Sequence, residues 1–225
     1  MQTANKIAPK AWTAQDLLQD ASWIQRLSAA EVEGFEQALE YARRLNKPLL
    51  EMAQADFPLS DASRAALARA IATTQTGFGM CLVKGFPVER WSESDTRLAY
   101  WGMGLYMGVG RTQNRASQVM NDVRDEGGDY KAKGGRGYNT NAGLDFHQDS
   151  CDVVGLLCRR TAKSGGTSKV ISSMQLCREV QRLRPDLMVV LQQPFFHSYQ
   201  GTQDPSQPPF YRCPIFGNHP EFFVA

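Results

Sequence analysis

The sequence lacks several features that would place it in a specialised class of protein. No stretch approaches the roughly 20 apolar residues that a membrane-spanning helix needs, and residues 1–12 contain no apolar core of signal-peptide length. The five cysteines are odd in number and form no Cys-x-x-Cys pair, which argues against a disulfide framework and a zinc knuckle. These absences predict a soluble, cytoplasmic protein with reduced thiols and no membrane partner.

An excess of charge of one sign is also missing. Lys and Arg number 25 against 23 Asp and Glu, so the formal net charge is only +2. So weak a net field would not by itself steer a nucleic acid or an anionic membrane to the protein. The sequence therefore predicts a small-molecule partner and no nucleic acid, and it leaves a homo-oligomer open.

The first part of the chain is helical in pattern. Apolar residues recur at three- and four-residue spacings over residues 11–56. Ser60 can cap a second helix that Gly77 ends, and Ser92 opens a further one. We therefore predict a helical segment over residues 1–76, in a chain whose 42% hydrophobic content suffices for one buried core.

Short, apolar, strand-like segments separated by turn signals characterise the chain from residue 77 onward. They occupy residues 78–83, 117–123, 144–147, 152–158 and 167–171, and a helix is predicted over residues 173–183. Closely spaced short strands fit a curled sheet or barrel better than a parallel α/β sheet. The Gly-rich, polar residues 125–141 are predicted to form a mobile loop that orders over a substrate.

His147-Gln148-Asp149 is the one tight cluster of metal-competent side chains in the sequence. Residues two apart in an extended segment share a face, so an imidazole nitrogen and a carboxylate oxygen could reach one ion. Such a pair supplies two of the three protein ligands used by non-haem iron(II) oxygenases, which keep the remaining coordination positions open. The alternatives are a hydrogen-bonded pair without a metal and a thiol hydrolase pair of His147 with Cys151.

Longer motifs around this pair resemble one family. They read FHQDS at residues 146–150, DVVGLLC at 152–158 and AKSGGTS at 162–168. Their order resembles the central block of the taurine dioxygenase (TauD/TfdA-like) family of iron(II)/2-oxoglutarate-dependent oxygenases. By position, His147 and Asp149 match the iron ligands of that family. Ser168, with Thr167 as the alternative, matches the hydroxyl residue that helps to hold 2-oxoglutarate.

The resemblance also implies a fold and a reaction. The fold would be α+β with a mainly β core, namely a double-stranded β-helix (jelly roll, clavaminate synthase-like) with flanking helices, occupying residues 77–225. The reaction would hydroxylate or oxidatively cleave a small organic substrate with O2, releasing succinate and CO2 from 2-oxoglutarate. Fe(2+) and 2-oxoglutarate are the implied cofactors.

Two departures from the family pattern change these expectations. Gln148 stands where the family usually has threonine, which alters local hydrogen bonding but removes no ligand. The distal iron histidine and the 2-oxoglutarate-binding arginine of the family lie in a later segment without a counterpart here, while His197 and His219 are expected to be structural. We therefore expect an incomplete jelly roll and impaired catalysis, with a non-catalytic jelly-roll binding protein as the alternative function.

Overall fold

The structure is a computed structural model that describes residues 8–114, 116, 118–132, 135, 137–199, 201–219 and 221–225. Its helices are α1 (Ala14–Gln19), α2 (Ala29–Leu45), α3 (Asp61–Thr76), α4 (Glu93–Gly104), α5 (Ser173–Leu183) and α6 (Pro185–Leu191). Its strands are β1 (Ile24–Arg26), β2 (Leu82–Lys84), β3 (Phe195–Ser198), β4 (Phe210–Cys213), β5 (Gly217–Asn218) and β6 (Phe223–Val224). The protein is therefore α+β.

Helix α3 begins and ends where local signals predict, and α4 begins where they predict. The Ser60 hydroxyl accepts the Ser63 amide at 3.2 Å at the start of α3, and the Gly77 amide closes the helix on the Thr73 carbonyl at 3.0 Å. Helix α4 starts directly after Ser92, as predicted, and ends at Gly104. Backbone groups at a helix end need partners, so these two contacts fix the boundaries of α3.

Strand β1 corrects the prediction that residues 11–56 are helical throughout. Ile24–Arg26 pairs in parallel with Leu82–Lys84, and Ile24 lies opposite Leu82. The predicted strand over residues 78–83 is correspondingly shorter and lies later in the chain. Pairing with a segment distant in sequence decides strand formation, so a local apolar pattern could not reveal it.

The main core lies between α2, α3 and α4. Phe35, Ala38, Leu39 and Ala42 bury one face of α2 at the spacing of a helical stripe. Helix α4 and the turn before it add the buried side chains of Trp91, Ala99 and Met103 to the same cluster. The core therefore continues past residue 77. The stability of this region rests on helix packing.

The predicted strands around the metal-competent pair are wrong for the described residues. Residues 144–147, 152–158 and 167–171 contain no regular strand, nor do residues 118–123 of the predicted strand 117–123; residue 117 lies outside the described part. A strand needs a hydrogen-bonded neighbour, and in the described part of the chain no strand pairs with these segments. Apolar alternation identified strand-like sequence but not a pairing partner.

The described sheets each contain two strands, in the pairs β1–β2, β3–β4 and β5–β6. The helices and strands together confirm the α+β class. Within the residues described, the two-stranded sheets form no jelly roll, and the jelly roll stays an expectation. Helix α5 has the bounds that were predicted, and α6 follows it directly with Pro185 at its first position. No helix in the described ranges is long and apolar enough to cross a membrane.

The Gly-rich loop over residues 125–141 closes on itself at its base. The Arg124 amide donates to the Tyr138 carbonyl at 2.9 Å, and the Glu126 amide donates to the Asn139 carbonyl at 3.0 Å. The Asn141 side chain adds a 3.0 Å hydrogen bond to the Asp125 carboxylate. Residues 133, 134 and 136 lie outside the described part, and the mobility of the loop stays a prediction.

Candidate metal centre

His147 lies in an exposed segment without regular secondary structure, and one of its ring nitrogens has a partner. Nδ1 lies 2.7 Å from the backbone oxygen of Asp145. A carbonyl oxygen can only accept, so Nδ1 carries the proton and the lone pair of the neutral ring lies on Nε2. A backbone carbonyl that orients a histidine in this way is a frequent second partner of metal-binding histidines.

Gln148, between the two metal-competent residues, is bound to helix α5. Its Nε2 donates to the hydroxyl of Ser173 at 2.7 Å, and Ser173 is the first residue of that helix. The contact joins positions 25 residues apart in sequence. The segment that carries His147 and Asp149 is therefore connected to a regular element through the residue between them.

Asp149 lies next to Cys151, and its charge affects the thiol. The Cys151 amide donates to the Asp149 carbonyl at 2.8 Å. Although Cys151 as a residue is exposed, partial desolvation of its sulfur raises the pKa of the thiol, and the negative charge of Asp149 raises it further. A raised pKa disfavours the thiolate that a nucleophile requires. The surroundings of the thiol thus lend no support to the thiol hydrolase alternative.

The other two histidines, His197 and His219, make hydrogen bonds to backbone groups. His197 is half-buried on β3, where Nε2 lies 3.2 Å from the Cys213 carbonyl oxygen and the ring stacks on Tyr211. His219 is exposed and accepts the Glu221 amide at 3.2 Å through Nδ1. Across the described ranges, no three His, Cys, Asp or Glu side chains come together as a group that could hold a metal ion.

Thr167 and Ser168 follow a turn made by Gly165 and Gly166, whose φ angles of 73° and 69° favour glycine. Both hydroxyl residues are exposed. In the part of the chain that is described, neither is hydrogen-bonded to His147 or Asp149. The chain then runs to an apolar crevice of about 170 Å³, which Ile171 and Ser173 line together with Trp12 and Phe78.

Comparison with known proteins identifies the family. The profile of the "Taurine catabolism dioxygenase TauD, TfdA family" matches residues 45–225. The chain belongs to the TauD/TfdA family. FR-33289 synthase from Streptomyces rubellomurinus (strain ATCC 31215) is 32% identical to it over 185 residues, which cover 80% of this chain and 54% of that protein. The chain thus spans about half the length of this curated relative.

Membership of the TauD/TfdA family confirms the resemblance inferred from the motifs at residues 146–168, all of which lie within the matched range. TauD-family dioxygenases generally use Fe(II) and 2-oxoglutarate. The donor set here fits such an ion in kind, because His147 offers Nε2 and Asp149 offers a carboxylate. It would supply two of the three ligands expected of a facial triad.

Sequence reasoning missed two partners of the candidate site residues. The Asp145 carbonyl belongs to the backbone, so no residue type could have signalled its contact with His147. The sequence places Ser173 at the start of a predicted helix and, with Ser172, at the end of the block that resembles the family, but neither observation indicates a partner for its hydroxyl. Finding its bond to Gln148 required the tertiary structure.

Proposed function

We propose that the protein is an Fe(II)- and 2-oxoglutarate-dependent oxygenase that hydroxylates or oxidatively cleaves a small organic substrate, with succinate and CO2 as coproducts. The observation that carries this proposal is the hydrogen bond from Nδ1 of His147 to the Asp145 carbonyl. It leaves the lone pair of Nε2 available to bind an ion, and Asp149 follows two residues later. Family membership over residues 45–225 supports the same reading and the jelly-roll core that the family implies.

In this proposal the side chains of the chain bind and orient. Nε2 of His147 and the carboxylate of Asp149 would hold iron(II) from one side, which leaves other coordination positions open. The bound iron would supply the activation of O2 that cleavage of an unactivated C–H bond requires. The loop at residues 125–141, closed at its base, would cover the substrate and exclude water.

Ser168, or alternatively Thr167, would hold 2-oxoglutarate. A hydroxyl that donates to a carboxylate makes a charge-assisted hydrogen bond worth roughly 1.5–3 kcal/mol. Both residues follow the Gly165–Gly166 turn and are exposed, so either hydroxyl can reach a ligand. Ser168→Ala and Thr167→Val, made as separate variants, would show which of the two hydroxyls holds 2-oxoglutarate, because loss of that hydroxyl should weaken 2-oxoglutarate binding.

The deciding experiment is an anaerobic titration with Fe(II) and 2-oxoglutarate, followed by the metal-to-ligand charge-transfer band of their complex. We expect a saturable band in the wild-type protein and its loss in His147→Ala and Asp149→Asn. His219→Gln is the matched control, because it removes an exposed imidazole elsewhere and should leave the band intact. An unchanged band in His147→Ala would overturn the assignment.

A second candidate is a non-catalytic jelly-roll protein that binds a ligand or partner. The observation that favours it is the lack of a third His, Cys, Asp or Glu beside the pair within the described residues. The same titration separates the two functions, because a non-catalytic protein would give no band at any Fe(II) concentration that leaves it folded.

A further inference from the structure

Gln148 lies between the two proposed iron ligands, and its side chain is hydrogen-bonded to helix α5. Its amide lies 2.7 Å from the Ser173 hydroxyl, and the flanking residues are the two proposed iron ligands. The segment itself has no helix or strand hydrogen bonds to fix its course. The course of its backbone therefore depends on individual contacts. One of these contacts, the bond from Gln148 to Ser173, joins the segment to a regular helix.

Ser173 is a firm partner because the start of α5 is held from several sides. The neighbouring Ser172 is buried; its hydroxyl accepts the Gln175 amide at 3.1 Å and lies 3.5 Å from the Lys10 carbonyl. The wall of the adjacent crevice is fixed in turn, since the Trp12 indole donates to the Phe78 carbonyl at 2.7 Å. The anchor of Gln148 thus belongs to a packed part of the molecule.

We propose that Gln148 is a positioning residue of the metal site: its bond to Ser173 holds the backbone that carries His147 and Asp149 in the arrangement that receives the ion. The inference rests on the proposed function, because it assigns a role toward the iron ligands. Gln148 does not touch the ion and takes no part in the chemical step.

The physical reason is preorganisation. A metal ion binds more tightly when its ligands are already ordered, because the cost of fixing them is then met during folding. The Asp145 carbonyl orients the ring of His147 but leaves the backbone between the ligands free to shift. The Gln148–Ser173 bond restrains that backbone, so its loss should weaken metal binding without removing a ligand.

The test measures the affinity for Co(II), a spectroscopic substitute for iron(II), by its visible absorption. Gln148→Leu keeps the size of the side chain and loses the amide, and Ser173→Ala loses the hydroxyl. We expect each to weaken Co(II) binding about three- to tenfold and to alter the cobalt spectrum, and the double variant to bind no more weakly than either single one. Ser173→Thr keeps a hydroxyl and should bind as the wild type does.

A matched control separates positioning from general destabilisation. Gln37→Leu removes an exposed hydrogen bond of similar length, 3.1 Å to Glu33, on helix α2. It should change neither the Co(II) affinity nor the cobalt spectrum. In the metal-free protein, hydrogen exchange of the Cys151 amide, which donates to the Asp149 carbonyl, should be about three- to tenfold faster in Gln148→Leu and unchanged in Gln37→Leu.

Failure of this inference and failure of the proposed function give different results. A wild-type protein that binds Co(II), with variants that bind it equally well, would overturn the inference alone. Faster exchange with unchanged Co(II) affinity would also overturn it, because Gln148 would then stabilise only the local chain. A wild-type protein that takes up no Co(II) at all would overturn the metal site itself.

Discussion

The helical part of the molecule, residues 8–107, and the part that carries the candidate site, residues 108–225, differ in how they bury apolar side chains. In the described chain, all but two of the buried hydrophobic side chains lie between Trp12 and Met103; the exceptions are Met188 and Phe216. Most of the large hydrophobic side chains that are exposed lie at or after Met107.

The two parts also differ in the contacts that fix their structure. Helix α2 packs against both α3 and α4, and the three helices contribute to a common core. The described residues of the site-bearing part form helices α5 and α6, two-stranded sheets and irregular segments. The candidate site itself lies in an irregular segment, so its geometry depends on single contacts such as Gln148 to Ser173 and His147 to Asp145. We therefore expect substitutions in the first part to change folding and those in the second to change binding.

The largest expected effect on stability is the loss of a central core ring. Phe35 is fully buried, so Phe35→Ala should lower the free energy of unfolding by about 3–5 kcal/mol. Phe196 on β3 is 67% exposed, and Phe196→Ala should cost less than about 1 kcal/mol. Urea unfolding followed by far-ultraviolet circular dichroism measures both. Equal losses would remove the contrast between the two parts.

A glycine pair on α4 sharpens the same contrast within one helix. A Cβ at Gly102 would lie 2.3 Å from the Phe57 ring, whereas a Cβ at Gly104 would meet nothing within 4 Å. Gly102→Ala should therefore destabilise the protein by about 1–3 kcal/mol through overpacking, and Gly104→Ala should stabilise it by about 0.5–1 kcal/mol. Thermal unfolding of both variants gives opposite signs. The same sign for both would contradict this packing.

Glu31 should make the stability of the helical part depend on pH. Its carboxylate accepts the Ser28 amide and pairs with Arg69, and these contacts lower its pKa. The folded state therefore binds this proton more weakly than the unfolded state does. The resulting stabilisation is present above the ordinary pKa of about 4.3 and is lost as the pH falls through the lower folded value.

Glu31→Gln measures this contribution. The variant should be about 1 kcal/mol less stable than the wild type at neutral pH, and the difference should shrink below about pH 4. Glu33→Gln, on the exposed face of the same helix, is the control and should change the free energy of unfolding by less than about 0.5 kcal/mol. A Glu31 difference that persisted unchanged into acid would contradict the assignment.

The smallest expected effect concerns an ion pair that joins the two parts. Arg159 lies 3.2 Å from Glu93 at the start of α4; the Glu93 side chain is 63% exposed and that of Arg159 is 38% exposed. A double-mutant cycle with Arg159→Ala and Glu93→Ala should give a coupling energy of about 0.2–1 kcal/mol that decreases at high salt. A larger, salt-insensitive coupling would mean that this contact holds the two parts together.

The sequence predicted the elements whose signals are local. Ser60 and Gly77 mark the ends of α3, because capping and helix termination depend on neighbouring residues. The predicted strands at residues 144–147, 152–158 and 167–171 are wrong for the described chain, because a strand depends on a partner that its own residues do not encode. The sequence did not predict strand β1 for the same reason, because its partner β2 lies far away in the chain.

The site was predictable to a similar extent. His147 and Asp149 were assigned from residue type and motif order, and their family context is confirmed, while their binding of iron stays a prediction. The backbone oxygen of Asp145 and the hydroxyl of Ser173 could not be assigned as partners from the sequence. Both contacts arise from the path of the chain rather than from residue type.

The most direct test of the metal assignment is a crystal structure of the protein grown without oxygen in the presence of Fe(II), with anomalous diffraction recorded at the iron edge. We predict one anomalous peak in contact with Nε2 of His147 and a carboxylate oxygen of Asp149, while Nδ1 keeps its hydrogen bond to the Asp145 carbonyl. A peak at another group of side chains, or coordination of His147 through Nδ1, would contradict the account.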